Sequence, residues 1–245
     1  MTTLSDYISE SILSSTHTGK ARMDEELKKY GLDPDLVTLN ADGSIDYDGD
    51  VMLQFKGITK IPFNFRKVNG NFYCLINRLT TLEGCPNECN SFNCSRNNLT
   101  SLKHSPAIVK GSFDCDFNHL TNLEDAPKSV RNGFFCGHND LVTLKGLPDK
   151  SVNGLDCSNN KLTNLNYCPK VINGSFRCGS NQLTSLKDGP EHVSYEYDCS
   201  YNQLTSLEGL PKKLNDTFYC GYNPGRFTKK DVLAICNINK YKIFT

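Results

Sequence analysis

The chain lacks an excess of either charge. Its 245 residues carry 27 Lys and Arg against 27 Asp and Glu, so no global field draws it toward nucleic acid or an anionic membrane. It has no apolar run approaching the roughly 18 residues of a membrane span. Its first residues, MTTLSDYISE, lack the positive flank and apolar centre of a secretory signal. A soluble, cytoplasmic protein is expected. The step Gly19-Lys20 lacks the Gly-rich run and the following Ser or Thr of a phosphate-binding loop. Asp46, Asp48 and Gly49 imitate a calcium loop, but that alignment puts Phe55 where the bidentate Glu must stand. Cys85, Cys89 and Cys94 have metal-like spacing, yet a structural zinc wants four converging ligands, and each of these thiols has a structural slot of its own. No metal or cofactor is expected. Cys136 and His138 come nearest to a catalytic pair, but with the thiol inward and the imidazole outward they cannot share a proton, so no enzyme is expected.

What the chain has in abundance is a repeat. The stretch FDCDFNHLTNLEDAP, from Phe113 to Pro127, returns down the sequence with Cys at 74, 94, 115, 136, 157, 178, 199 and 220, a step of 21 residues with one of 20. Asn follows three places after every one of them, from Asn77 to Asn223. Leu follows five and eight places on, as at Leu120 and Leu123, and Pro twelve on, as at Pro127. A fixed period in this range marks a solenoid, in which stacked neighbours bury what no single repeat can. Phe and Cys, two apart on a short strand, point the same way and enter the core. The expected fold is therefore an α/β solenoid dominated by β, with a parallel sheet of about nine strands stacked at about 4.8 Å and small helical caps at both ends. The Asn amide is expected to satisfy backbone groups of the turn that would otherwise be buried unpaired. Eight of the 12 cysteines are this inward column, where a small apolar side chain suits a tight stack. Gly and Pro between the Leu positions and the next strand leave little room for a helix on the outer side.

The run x-F-x-C-x-x-N-x-L-x-x-L resembles the leucine-rich repeat, with Phe and Cys where Leu usually stands. At this length it is similar to the short repeats of bacterial effectors, and closer still to Cys-bearing variants in predicted proteins of large tailed phages. The resemblance covers roughly residues 51 to 227. It implies a phage-encoded module in the host cytoplasm that binds a host protein, for example a defence enzyme, and blocks it.

Along the chain, residues 1–36 are expected to form an N-terminal helical arm or cap, 37–227 the solenoid and 228–245 a C-terminal capping helix. Leu4, Ile8 and Ile12 share one helical face that could also support self-association. Residues 14–20 are expected to be a polar linker, and Met23, Leu27 and Tyr30 a second helix ended by Gly31. Val37 to Val51 suggests a hairpin turning at Asp42-Gly43. A degenerate first repeat occupies 51–68, and Thr228 caps a last helix whose Val232, Leu233 and Cys236 cover the final strand.

If function sits on the variable positions, two outward columns of a concave sheet are the candidates. The residue before each Cys gives Tyr73, Asp114, Phe135, Asp156, Arg177, Asp198 and Tyr219, and the residue two after gives Arg96, Phe117, His138, Tyr201 and Tyr222. A column containing Ser95, Gly137, Ser158, Gly179, Ser200 and Gly221 runs between them and leaves the flanking aromatics accessible. Aromatics and Arg are typical anchors of protein interfaces. A virion scaffold is one alternative, and capture of a small nucleotide by Tyr201, Tyr222 and Arg177 is another.

Overall fold

Strands of two or three residues recur at the Phe-to-Cys step of each repeat, in a computed structural model that describes residues 17–148 and 153–245. Ten of them pair in parallel into one sheet: Val51–Met52, Phe72–Tyr73, Phe92–Asn93, Phe113–Asp114, Gly133–Phe135, Gly154–Asp156, Phe176–Arg177, Tyr197–Asp198, Phe218–Tyr219 and Ile243–Phe244. Nine belong to the repeats, and the C-terminal segment Ile243–Phe244 adds the tenth along Phe218–Tyr219. The register is constant, Phe72 opposite Phe92 and Phe92 opposite Phe113, so equivalent side chains line up in columns.

The inward columns build the core. Phe72, Phe92, Phe113, Phe134, Phe176 and Phe218 are fully buried. Phe72 stacks on Phe92 and Phe92 on Phe113 with ring centroids 5.5 and 5.6 Å apart. Tyr197 holds the same slot, and where other repeats place Leu147, Cys168 or Leu210 the chain has Gly189; a Cβ there would lie 3.7 Å from the Tyr197 hydroxyl and 2.8 Å from Leu165. The missing side chain makes the room that the extra oxygen needs. All eight column cysteines are buried and all 12 thiols are free. Several donate to the next repeat, as Cys136 Sγ does to the Asp156 carbonyl at 3.3 Å. Among the described residues, no group of three or more His, Cys, Asp or Glu is placed to hold a metal ion.

The Asn column ties the repeats together. Asn160 donates from Nδ2 to the carbonyls of Cys136, Cys157 and Ser158 at 3.0, 3.1 and 3.1 Å, and its Oδ1 accepts from the Leu141 amide at 2.9 Å. The same set recurs at Asn97, Asn118, Asn139, Asn181, Asn202 and Asn223. One amide thus joins two consecutive turns of chain and satisfies backbone groups that water cannot reach.

Just before each corner leading into the long sheet lies a second parallel ladder that the repeat pattern did not announce. Ile45–Tyr47, Phe65–Val68, Glu88–Cys89, Ile108–Val109 and Ser129–Val130 pair in order, with Val37–Leu39 added antiparallel at the start, and Val171–Ile172 pairs with His192–Val193 further on. Val109, Val130 and Cys89 point into the core from it. Between the Leu positions and this ladder the chain turns through a left-handed residue, Gly84, His104, Asp125, Gly146, Tyr167, Asp188 or Gly209. At Gly146, φ is +99° and a Cβ would meet the Leu123 carbonyl oxygen at 2.1 Å, so only glycine fits.

At the N-terminal end, helix α1 (His17–Lys29) begins inside the expected linker. Lys20, Ala21 and Arg22 favour helix strongly enough to extend it through the single Gly19. Leu27 is buried in the same core as the first repeats, Tyr30 meets Phe63 edge-on at 5.7 Å, and Gly31 ends the helix at φ +79°. The apolar face of Leu4, Ile8 and Ile12 lies outside the described residues. Val37–Leu39 and Ile45–Tyr47 form the hairpin around Asp42-Gly43. The acids that imitate a calcium loop have protein partners, Asp46 with Arg66 and Asp48 with Asn69. At the other end, helix α2 (Lys229–Leu233) is capped reciprocally by Thr228 and Asp231. Val232 and Cys236 are buried as expected, but Leu233 is exposed. A five-residue helix presents one narrow stripe inward, and Val232 and Cys236, four apart, take it. Among the described residues no helix is long and apolar enough to cross a membrane.

Candidate partner-binding face

Each repeat leaves the long sheet through a kink just past its Cys. The residue two after Cys is left-handed in every copy: Ile76, Arg96, Phe117, His138, Asn159, Ser180, Tyr201 and Tyr222 have φ between 51° and 57°. Phe55, in the degenerate first repeat, joins them at 59°. The backbone reason is a ladder of bonds, in which the amides from Phe55 to Tyr201 donate to the next repeat, Arg96 to the Asp116 carbonyl at 2.9 Å and His138 to Ser158 at 3.0 Å. The consequence is a row of side chains on the open side of the sheet. Tyr201 is 53% exposed, Phe55 70% and Tyr222 76%.

Glycine or asparagine would hold this conformation at least cost, whereas a bulky residue loses about 1 kcal/mol or more. Only Asn159 is of the favoured kind. The others pack partly on one another. The Arg96 guanidinium lies 4.1 Å from the centre of the Phe117 ring, and Phe117 stacks on His138 at 4.0 Å. Tyr201 stacks on Tyr222 at 4.2 Å.

The column before Cys is half-buried, and several of its members are occupied. Asp156 and Asp198 accept from the backbone and hydroxyl of Ser158 and Ser200, two residues on, so they close the strand end as well as face outward. Arg177 is held by Glu196 at 2.5 Å, with Asp156 at 4.0 Å. Tyr219 stacks on Phe244 at 4.9 Å. Phe135 lines a cavity of about 290 Å³ with Asp156, Arg177 and Tyr195. Tyr73 sits half-buried beside Asn93 in the ladder. Tyr201 and Tyr222 close on each other and Arg177 on Glu196, so these three do not form a nucleotide cradle.

Cys136 is buried, with its Sγ on the Asp156 carbonyl, while His138 stands exposed on Phe117, so the two do not share a proton. Burial pushes the Cys136 thiol well above its ordinary range, and raises Cys89, Cys168 and Cys220 to about 12.

The column between Cys and the kink is not small throughout. Asp116 stands in it, beside Asp114, and accepts from the Gly137 amide at 2.6 Å. Burial first, then the Asp114 and Asp156 carboxylates, push Asp116 up to about 7, against the Gly137 bond and the Arg96 charge; burial also raises Asp114. A raised carboxyl means that the folded state holds its proton more tightly than the unfolded state does. Stability should therefore fall as pH climbs from about 4 to about 7 and level off above. Since Asp116 is partly open to water, about 1–2 kcal/mol is the expected fall. Urea melts at pH 5 and pH 8 check it: Asp116→Asn should remove most of the difference, and an unchanged difference would contradict the assignment.

Sequence reasoning missed Asp116, Glu196, Tyr195 and Phe55. Two of them carried a usable signal: Phe55 stands two after Leu53, which fills the Cys slot of the first repeat, and Asp116 interrupts a column of mostly small residues.

No protein-family model matches the chain. No curated protein matches it. Among solved structures it is similar to YopM from Yersinia enterocolitica WA-314, a leucine-rich repeat effector, with a TM-score of 0.50 and 19% identity over 71% of this chain and 47% of that one. The likeness shows the fold, a leucine-rich-repeat-like solenoid, and the chain spans about half the length of that structure.

Proposed function

We propose that the chain is a non-enzymatic protein-binding module that grips its partner with the open face of the long sheet. The observation that carries this is the kink column. Nine positions hold the same left-handed torsion, and residues as unsuited to it as Ile76, Phe117, Tyr201 and Tyr222 occupy most of them. Backbone strain is retained where the side chain has a use, and exposed aromatic and Arg anchors are the residues that dominate interfaces. The candidate set is Tyr73, Arg96, Asp114, Phe117, Phe135, His138, Asp156, Arg177, Asp198, Tyr201, Tyr219 and Tyr222, with Phe55 added. The Cys-bearing repeat supports a finer reading, a phage-encoded module that occupies and blocks a host protein in the host cytoplasm.

Affinity capture from the source cell tests the face. A partner held by the native chain should be lost from Phe117→Ala/Tyr201→Ala/Tyr222→Ala and kept by Tyr167→Ala, which removes an exposed ring from the turn side. Loss through Tyr167 with the triple variant unaffected would place binding elsewhere.

A further inference from the structure

Charge is distributed unevenly around this solenoid. Away from the sheet face several acids are ion-paired: Glu88 with Lys110 and Lys67, Glu124 with Lys145, Asp140 with Lys161, Glu208 with Lys187 and Asp216 with Lys242. On the sheet face, among the described residues, Asp114, Asp116, Asp156, Glu196 and Asp198 stand with the guanidinium groups of Arg96 and Arg177. Arg96 is spent on the Phe117 ring and Arg177 on Glu196. Among the described residues, Asp114 and Asp116 have no ion pair; their close partners are the uncharged Asn93 amide and the backbone of Asp116 and Gly137.

The exposed rings and the spare carboxylates run in adjacent columns along the same axis. A guanidinium satisfies both at once, stacking on an aromatic ring while its fork meets a carboxylate. Arg96 over Phe117 shows that a ring of this column accepts such a cation.

Spacing narrows the occupant further. Asp114, Asp156 and Asp198 recur at every second repeat, and at about 4.8 Å per strand that is about 10 Å between carboxylates. A polyproline-type helix has three residues per turn and rises about 3.1 Å per residue, so every third side chain of such a segment returns to the same face at about 9 Å, close to that interval.

We propose that the sheet face binds a polyproline-type, arginine-bearing segment of a partner protein, with cationic side chains at every third position meeting Asp114, Asp156 and Asp198 and stacking on exposed rings of the kink column such as Tyr201. The proposal rests on the sheet face being the binding face. Asp116, held partly protonated near neutrality by burial and then by the Asp114 and Asp156 carboxylates, would ionise when a cation arrives, which strengthens the match.

The probe is a fluorescein-tagged peptide of three Arg-Gly-Pro units, with Glu-Gly-Pro as its acidic counterpart, titrated by anisotropy at about 50 and about 300 mM salt. The Arg peptide should bind and weaken with salt, and the Glu peptide should not bind. Asp114→Asn/Asp116→Asn should weaken the Arg peptide about tenfold, about 1.4 kcal/mol. Asn93 holds the turn at the equivalent position, bonding the Ser95 amide at 2.9 Å, so the Asn side chains should keep the fold. Glu124→Gln/Glu208→Gln, on the turn side, should change binding less than about twofold. No Arg-peptide binding up to about 1 mM, or an equal loss from the turn-side pair, overturns the proposal. So does a captured native partner that is lost with Tyr201→Ala/Tyr222→Ala but held by Asp114→Asn/Asp116→Asn; that outcome leaves the binding face standing and removes only the cationic segment.

Discussion

Asn160→Leu is expected to lower the free energy of unfolding by about 3–4 kcal/mol. The two N–H groups of its amide reach three carbonyls and its oxygen accepts one bond, tying two successive turns of the solenoid together. Leu has nearly the same volume, so little of the loss would come from a cavity. What remains is a set of backbone groups that bonded to Asn160 and now have fewer partners or none, each costing about 1 kcal/mol. A solenoid adds a second signature. Because each repeat touches only its neighbours, weakening one inter-repeat contact in the middle should loosen coupling between the halves, so the urea transition should broaden as well as shift. Asn77, in the first full copy, is only half-buried, and Asn77→Leu should cost less. Equilibrium urea unfolding followed by circular dichroism checks both, and a loss under about 1 kcal/mol for Asn160→Leu would mean that the ladder is decorative.

Phe113→Ala should cost about 3–5 kcal/mol. The ring is fully buried between Phe92 and Phe134, at 5.6 and 5.1 Å, and neither neighbour can move into the space without breaking its strand register. Tyr201→Ala removes a ring of similar size from the open face and should stay within about 0.5 kcal/mol of the native chain. The contrast between two aromatic truncations of like size separates inward from outward columns, and thermal melts of the two variants suffice to measure it. Similar losses from both would contradict the assignment of faces.

The inward columns could be read from the chain because a solenoid repeats its core in sequence: Phe, Cys, Asn, Leu and Pro return at one period, and each return marks the same place in space. The second ladder escaped because its strands contribute a single inward residue per turn, Cys89, Val109 or Val130, and two-residue strands show no alternation. The column two after Cys was legible as outward-facing, but its left-handed backbone was not, for the opposite reason. Its residues, Ile76, Phe117 and Tyr222 among them, are those least suited to a left-handed torsion, so the sequence there argued against the backbone that forms. Arg177 looked like a free anchor because its partner, Glu196, stands in a corner slot that holds Ser or Gly in the three repeats before it. Asp116 broke the column of small residues, and an exception of that kind is the sequence mark of a site with a chemistry of its own.

The account stands on the thiols of the Cys column facing inward with the phenyl rings, which leaves the kink column to face solvent. Mass spectrometry of the protein treated with iodoacetamide at pH 8, with and without urea, tests it most directly. In the native chain Cys74, Cys94, Cys115, Cys136, Cys157, Cys178, Cys199 and Cys220 should stay unmodified, since each is buried and its thiol is raised in pKa, while half-buried Cys85 is the first to react. In urea all 12 should be carboxamidomethylated. Modification of the eight column thiols in native buffer at the rate seen in urea would contradict the account.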